Sequence, residues 1–481
     1  MNARQVSILC AATTLMALGS GYGVNRAVAA QADQGGSEAG MQVLTRGPVH
    51  EAFAEIITFD PEPGLIVSKA PPTMIEESPP DQRPEGDNVA WIPGYWGWDD
   101  DRDDYIWISG IWRDLPPDRE WVPGYWSQEG RGFQWSPGYW ADASMNEAEY
   151  LPKPPHSLEN GPNIAAPSQD DYWAPGHWIW QQNRYAWSPG YWVPGRQGWA
   201  WIPAHYIWAP GGYVYSDGYW DYAIDYRGVL FAPVYFDNRG YARPGFRYSP
   251  SIVINLTVFT DHLFVRPDYD HYYFGDYYAA DYQNKGFFAS FSFASSHGGY
   301  DPIYTQQHWE HRHDADWDHR VRTDFENRRG HEETRPPRTM AAQSKLVTGG
   351  AQMKSPAIAA PFTEVTARKD SPMRFRPVAN DERQGIVQSG REVQGFRATR
   401  QKLEAAAMEP PGNRAIKKSA PVKVALPRSP IVSKPVAQLG NAPPERPKAS
   451  QAESKVKPAK TPGAQHQDKG NAKHNDKAKG K

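Results

Sequence analysis

The sequence predicts a mainly β protein: an antiparallel meander of short hairpins from a 14-residue Trp-rich repeat, then a second β module, a polar helix and a disordered tail. Three observations carry that expectation. A block close to WxPGYW recurs eight times between Trp91 and Trp220, eighteen of the 20 tryptophans fall in that stretch, and turn formers separate runs of only four or five residues.

The copies read WIPGYW at 91, WISGIW at 107, WVPGYW at 121, WSPGYW at 135, WAPGHW at 173, WSPGYW at 187, WIPAHY at 201 and YSDGYW at 215. Pro137-Gly138 suits a type II turn, with proline setting φ at the first central position and glycine accepting positive φ at the second. That turn would set Ser136 against Tyr139 and Trp135 against Trp140. Gly130-Arg131 marks a further reversal, which pairs Trp126 with Trp135, 127 with 134, 128 with 133 and 129 with 132. Partners across a ladder share a face. Trp121, Trp126, Trp135 and Trp140 then fall on one side, and Trp173, Trp178, Trp187, Trp192 and Trp201 repeat the pattern. Tyr125, Ser136 and Tyr139 take the other side.

Each aromatic pair adds about 0.5–1.5 kcal/mol beyond its area burial, which helps strands with few backbone bonds. Such rings form a core where covered. Where open, these nine tryptophans are the candidate ligand-binding face, suited to sugar rings, cationic groups or hydrophobic peptides. The repeated block resembles the WXXGXW (YXWGXW) repeat family of bacterial exported proteins. That resemblance covers about 130 of 481 residues, implies an exported envelope protein and brings no assigned activity. WISGIW lacks the proline, WIPAHY the glycine and last Trp, and YSDGYW the first Trp and the proline.

In chain order, residues 1–29 read as a signal peptide, with Arg4, an apolar run from Val6 to Leu18 and the small-residue site Ala27-Val28-Ala29. The lone cysteine, Cys10, lies inside it, so the mature chain is expected to hold no disulfide or zinc thiolate site. Residues 30–88 form a Pro-rich extended arm to which no chemistry is assigned. The first repeat block, 89–140, and the second, 173–224, flank a linker insertion, 141–172. The two blocks can pack face to face as a sandwich or run on as one curved meander. Their strands are too short for an outer-membrane barrel, which needs roughly 9–11 residues each. Residues 225–305 form an aromatic β module, 306–335 a polar helix and 336–481 a disordered basic tail. From 341 onward there are 27 Lys and Arg against 11 Asp and Glu, while the remainder has a net charge of −19.

Two clusters invite metal chemistry. Five aspartates in DDDRDD, Asp99–Asp104, could bind Ca²⁺, but the EF-hand spacing is lacking and a solvated turn is favoured. His308, His311, His313 and His319 lie among Glu310, Asp314, Asp316 and Asp318, without an H-E-x-x-H motif, so a solvated helix is favoured. No catalytic, metal or cofactor site is therefore assigned.

The leading function is an exported, non-enzymatic envelope protein of periplasm or cell envelope, structural or binding. Its partner would be an envelope glycan or anionic polymer, with no nucleic acid and no transmembrane segment in the mature chain. The alternative is a carboxylate-dependent hydrolase of an envelope polymer using Asp268, Asp270 and Asp276 near His271. That alternative requires one cleft lined by those groups.

Overall fold

The computed structural model describes residues 40–145, 147–236, 239–293, 295, 298–348, 356–369, 371, 373–408 and 421–435. The expected signal peptide with Cys10, and residues 436–481 of the tail, lie outside these.

Each pair of motif copies builds one long antiparallel hairpin. In the second, Arg119–Val122 and Tyr125–Glu129 form one arm, Gly132–Ser136 and Tyr139–Asp142 the other. Trp126 pairs with Trp135 and Glu129 with Gly132, the register read from the sequence. Past the Pro-Gly steps the same register continues, with Val122 opposite Tyr139 and Trp121 opposite Trp140. Pro137-Gly138 is thus no chain reversal, and the expected Trp135–Trp140 pairing does not form. It is a kink that faces a matching kink at Pro123-Gly124.

The glycine serves contact here, since Gly138 is not among the positive-φ residues a type II turn requires. A Cβ on Gly124 would stand 2.5 Å from Cζ2 of Trp135, and one on Gly138 2.6 Å from Cζ2 of Trp121. Each indole crosses to lie on the opposite arm's glycine. A side chain there would displace it.

The same plan recurs in residues 89–114, 171–194 and 199–222. Seven cross-strand tryptophan pairs result, with ring centroids 5.1–5.4 Å apart and tilted or edge-on rings. The reversals fall between motif copies; at Gln182 and Asn183 both φ values are positive, 51° and 58°, as a type I′ turn demands. In the fourth hairpin the irregular motifs compensate one another. Tyr206 pairs with Tyr215 where other hairpins pair two tryptophans, and Ala204 occupies the position that elsewhere lies under the missing indole.

Among the described residues no ladder joins one repeat hairpin to the next. Among the described residues the hairpins therefore do not run on as one continuous meander, and other segments take outer strand positions on three of them. Ile66–Val67 pairs with the second hairpin, and Gly228–Leu230 and Val234–Phe236 pair with the first. From the insertion, Ala148–Leu151 pairs with the fourth hairpin and with Val422–Val424. Far from being a free arm, residues 47–58 run through the main core, where Val49, Ala52 and Phe53 are fully buried and Gly47–Pro48 pairs with His271–Phe274.

The expected polar helix is two, Pro302–Glu310 and Trp317–Gly330. Within residues 336–435 of the basic tail the described residues hold the helices Met340–Thr348, Phe362–Ala367 and Asn380–Met408. A long helix, Asn380–Met408, opens with Asp381 and Glu382 in its first turn, where the helix dipole favours acids. Val393, Phe396, Arg400 and Glu404 lie three and four residues apart on one face, and all are buried. That face rests on the second hairpin. No helix among the described residues is long and apolar enough to cross a membrane.

Candidate functional site

A kink withdraws backbone groups from the ladder, and buried N–H and C=O groups need other partners. The hairpins solve this with carboxyl groups and an arginine supplied from elsewhere. At the second kink Glu51 accepts from Trp135 Nε1 at 2.6 Å and from the Gly138 amide at 3.0 Å. At the first, Glu77 accepts from Trp107 Nε1 at 3.1 Å, Gly94 at 2.7 Å and Gly110 at 3.0 Å. At the third, Glu159 accepts from Trp173 Nε1 at 2.8 Å and also from the Gly176 amide. The shared element is an indole N–H and a glycine amide three residues apart, converging on one carboxyl group. The motif's first Trp and its Gly are the two donors.

The carbonyls of the kinks are met from the other side. Arg400 Nη1 donates to Pro123 O and Pro137 O, each at 3.0 Å, while its Nε binds Glu404 at 2.7 Å. Tyr125 and Tyr150 donate to the same Glu404 carboxylate. Burial pushes Glu51 up to about 8 and Glu77 up to about 7, against the opposing pull of the N–H donors. Sequence reasoning missed these glutamates and Arg400, since they come from the arm, the insertion and the tail. The one available signal was Glu51 inside the apolar run HEAFAEII.

The nine tryptophans proposed as a binding face divide sharply. Trp121, Trp135 and Trp140 are buried at 2–3 % exposure. They are core, with Trp126 half-buried beside them. In the third hairpin Trp173, Trp178, Trp187 and Trp192 are all half-buried, with Ile179 and Tyr191 exposed at 36 % and 48 %. Loop carbonyls accept from this face, His156 O from Trp178 Nε1 and Ile164 O from Trp192 Nε1, both at 3.1 Å, and Trp178 also packs against Leu151, Tyr206 and Tyr213. Trp201 is half-buried in the fourth hairpin.

Of the groups suggested for hydrolysis, Asp268 is exposed, Asp270 half-buried, and His271 and Asp276 buried. Buried His271 donates from Nδ1 to Tyr269 O, its Nε2 accepts from the Tyr95 hydroxyl at 2.8 Å, and it lies 3.8 Å from Glu51. Asp276 is held by Arg338 at 2.7 Å. The space lined by Tyr95, Trp135 and His271 is about 10 Å³, room for about one water at most. A cavity of about 180 Å³ lies elsewhere, among Phe264, Tyr278, Phe291 and Phe325 with Glu326 and Arg329.

The acidic turn is not simply solvated either. Asp101 pairs with Arg46 and with Lys285 at 3.0 Å, and Asp100 with Arg266. In the helical pair His308 lies 3.2 Å from Asp318 and His311 stacks on Trp317. Among the described residues no three His, Cys, Asp or Glu side chains are grouped to hold a metal ion.

Geometry therefore defines a class first: a β-hairpin repeat protein built on tryptophan pairs, with carboxyl groups clamped at its kinks. The WXXGXW repeat model matches residues 86–113, 121–141, 172–193 and 196–221, so the four hairpins are WXXGXW repeats. No curated protein and no solved structure matches the chain.

Proposed function

We propose that this is an exported, non-enzymatic protein of a bacterial cell envelope whose third hairpin binds an envelope glycan. The carrying observation is the contrast in exposure. The third hairpin keeps four tryptophans half-exposed on strands held by two cross-strand ring pairs, while the equivalent rings of the first hairpin are buried. Indole faces on a rigid ribbon stack on sugar rings without first paying to be ordered. The lack of a substrate-sized space beside His271 supports a binding role over hydrolysis. The apolar segment at 6–18 and the small-residue site after it support export.

Two measurements test this reading. Titrating the full chain with soluble envelope glycan fragments should change tryptophan fluorescence, and the change should vanish in Trp178→Ala/Trp187→Ala. Cell fractionation should place the protein in the envelope. An unchanged spectrum with every fragment removes the glycan-binding reading, and a cytoplasmic protein removes the export reading.

A further inference from the structure

Three kinks each hold one carboxyl group, from Glu77, Glu51 and Glu159. The fourth has the same backbone arrangement. A Cβ on Gly218 would stand 2.6 Å from Trp201 Cζ2 and 3.2 Å from the Ala204 amide nitrogen; for Gly138 the corresponding distances are 2.6 Å to Trp121 and 2.8 Å to the Gly124 nitrogen. The donors are those of the motif, Trp201 Nε1–H and the Ala204 amide three residues on. Yet Trp201 Nε1 is enclosed and has no acceptor among the described residues, a condition that costs about 1–3 kcal/mol for a buried donor. Trp91 Nε1 shares that condition, but its kink already holds Glu77.

Two further observations concern charge. Glu55 approaches this hairpin but bonds the Tyr219 hydroxyl at 2.6 Å, and Tyr219 alternates to the face opposite Trp220. Arg196 lies 4.5 Å over the ring of Trp220, the cross-strand partner of Trp201, is exposed, and makes no ion pair among the described residues. A guanidinium thus stands over the ring that pairs with Trp201. The other three kinks show what such donors take.

We propose that the fourth kink binds a carboxylate supplied from beyond the described residues, on the donors Trp201 Nε1 and Ala204 N, with Arg196 on the neighbouring Trp220 ring adding positive charge. The carboxylate is either that of an acidic peptide or one borne by this chain's own undescribed segments. This site is separate from the stacking face of the third hairpin and stands or falls independently of it.

The test uses the full-length chain labelled with ¹⁵N-tryptophan, with Trp201→Phe assigning the indole resonance. The probes are N-acetylglutamate amide, its glutamine counterpart, and sodium chloride at equal ionic strength. For an external source, the Trp201 resonance moves with the glutamate probe alone, and Arg196→Gln weakens the response several-fold. For an internal source, it already lies with those of Trp107, Trp135 and Trp173, ignores the probes, and leaves that position when the undescribed acids Asp33, Glu38, Asp237, Asp370, Glu409, Glu445, Glu453, Asp468 and Asp476 are replaced, in groups, by their amides. A resonance that neither lies with those three nor responds overturns the proposal. So does an equal response to the glutamine probe or to chloride. If Trp201→Phe does not fold, the loss or retention of the glutamate response in Arg196→Gln decides, because that residue is exposed.

Discussion

The second and third hairpins contain the same hexapeptide, WSPGYW, at 135 and at 187, in the same register and with the same indole-on-glycine contact. One copy is core and the other is surface. At 135 the ring is covered by the arm that brings Glu51, and the kink's carbonyls by the helix that brings Arg400. At 187 neither element reaches. The motif therefore encodes the hairpin and its kink, while the segments folded over it decide how far the rings are buried.

The comparison breaks most visibly at Arg400. Arg400→Ala leaves Glu404 buried without its partner and two proline carbonyls without a donor, and should cost about 3–5 kcal/mol in urea denaturation. Trp135→Ala should cost about 3–5 kcal/mol, as for a large ring lost from a packed core, whereas Trp187→Ala should cost roughly a third of that. Equal losses would mean that exposure does not separate the two copies. Gly138→Ala drives a methyl into Trp121 and should cost about 1–3 kcal/mol. Gly190→Ala meets Trp173 but can relax toward solvent, so its thermal midpoint should fall less.

The smallest effect is on pH dependence. Burial raises Glu51 to about 8, so the folded state favours its protonated form. Its contribution is complete below the ordinary glutamate range and is lost as pH rises toward about 8. Glu77, raised to about 7 in the same sense, acts alongside it. Glu51→Gln should flatten the decline in denaturation midpoint across that window. A slope unchanged by this variant would show that Glu51 is ionised throughout.

Much of the hairpin was legible because its information is local. Two-residue alternation and the position of Gly130 pair Trp126 with Trp135 without any knowledge of the rest of the chain. Pro137-Gly138 was misread because proline and glycine mark both turns and kinks, and only the opposite arm shows which. Glu51, Glu77 and Glu159 could not be read as clamps, since what selects them is a pair of N–H groups contributed by other segments. The long helix was hidden for a related reason. Its buried face includes the charged pair Arg400 and Glu404, which composition counts toward solvated chain and which only a tyrosine-lined, carbonyl-lined surface can accept.

The central claim is that identical motifs are core in one hairpin and a binding surface in another. Oxidative footprinting of each tryptophan, read by mass spectrometry with and without envelope glycan, tests it most directly. Trp178, Trp187 and Trp192 should be oxidised in the free protein and protected by glycan, with Trp107, Trp121 and Trp135 inert in both states. Uniform oxidation of the two sets, or protection that falls on the second hairpin, would contradict the account.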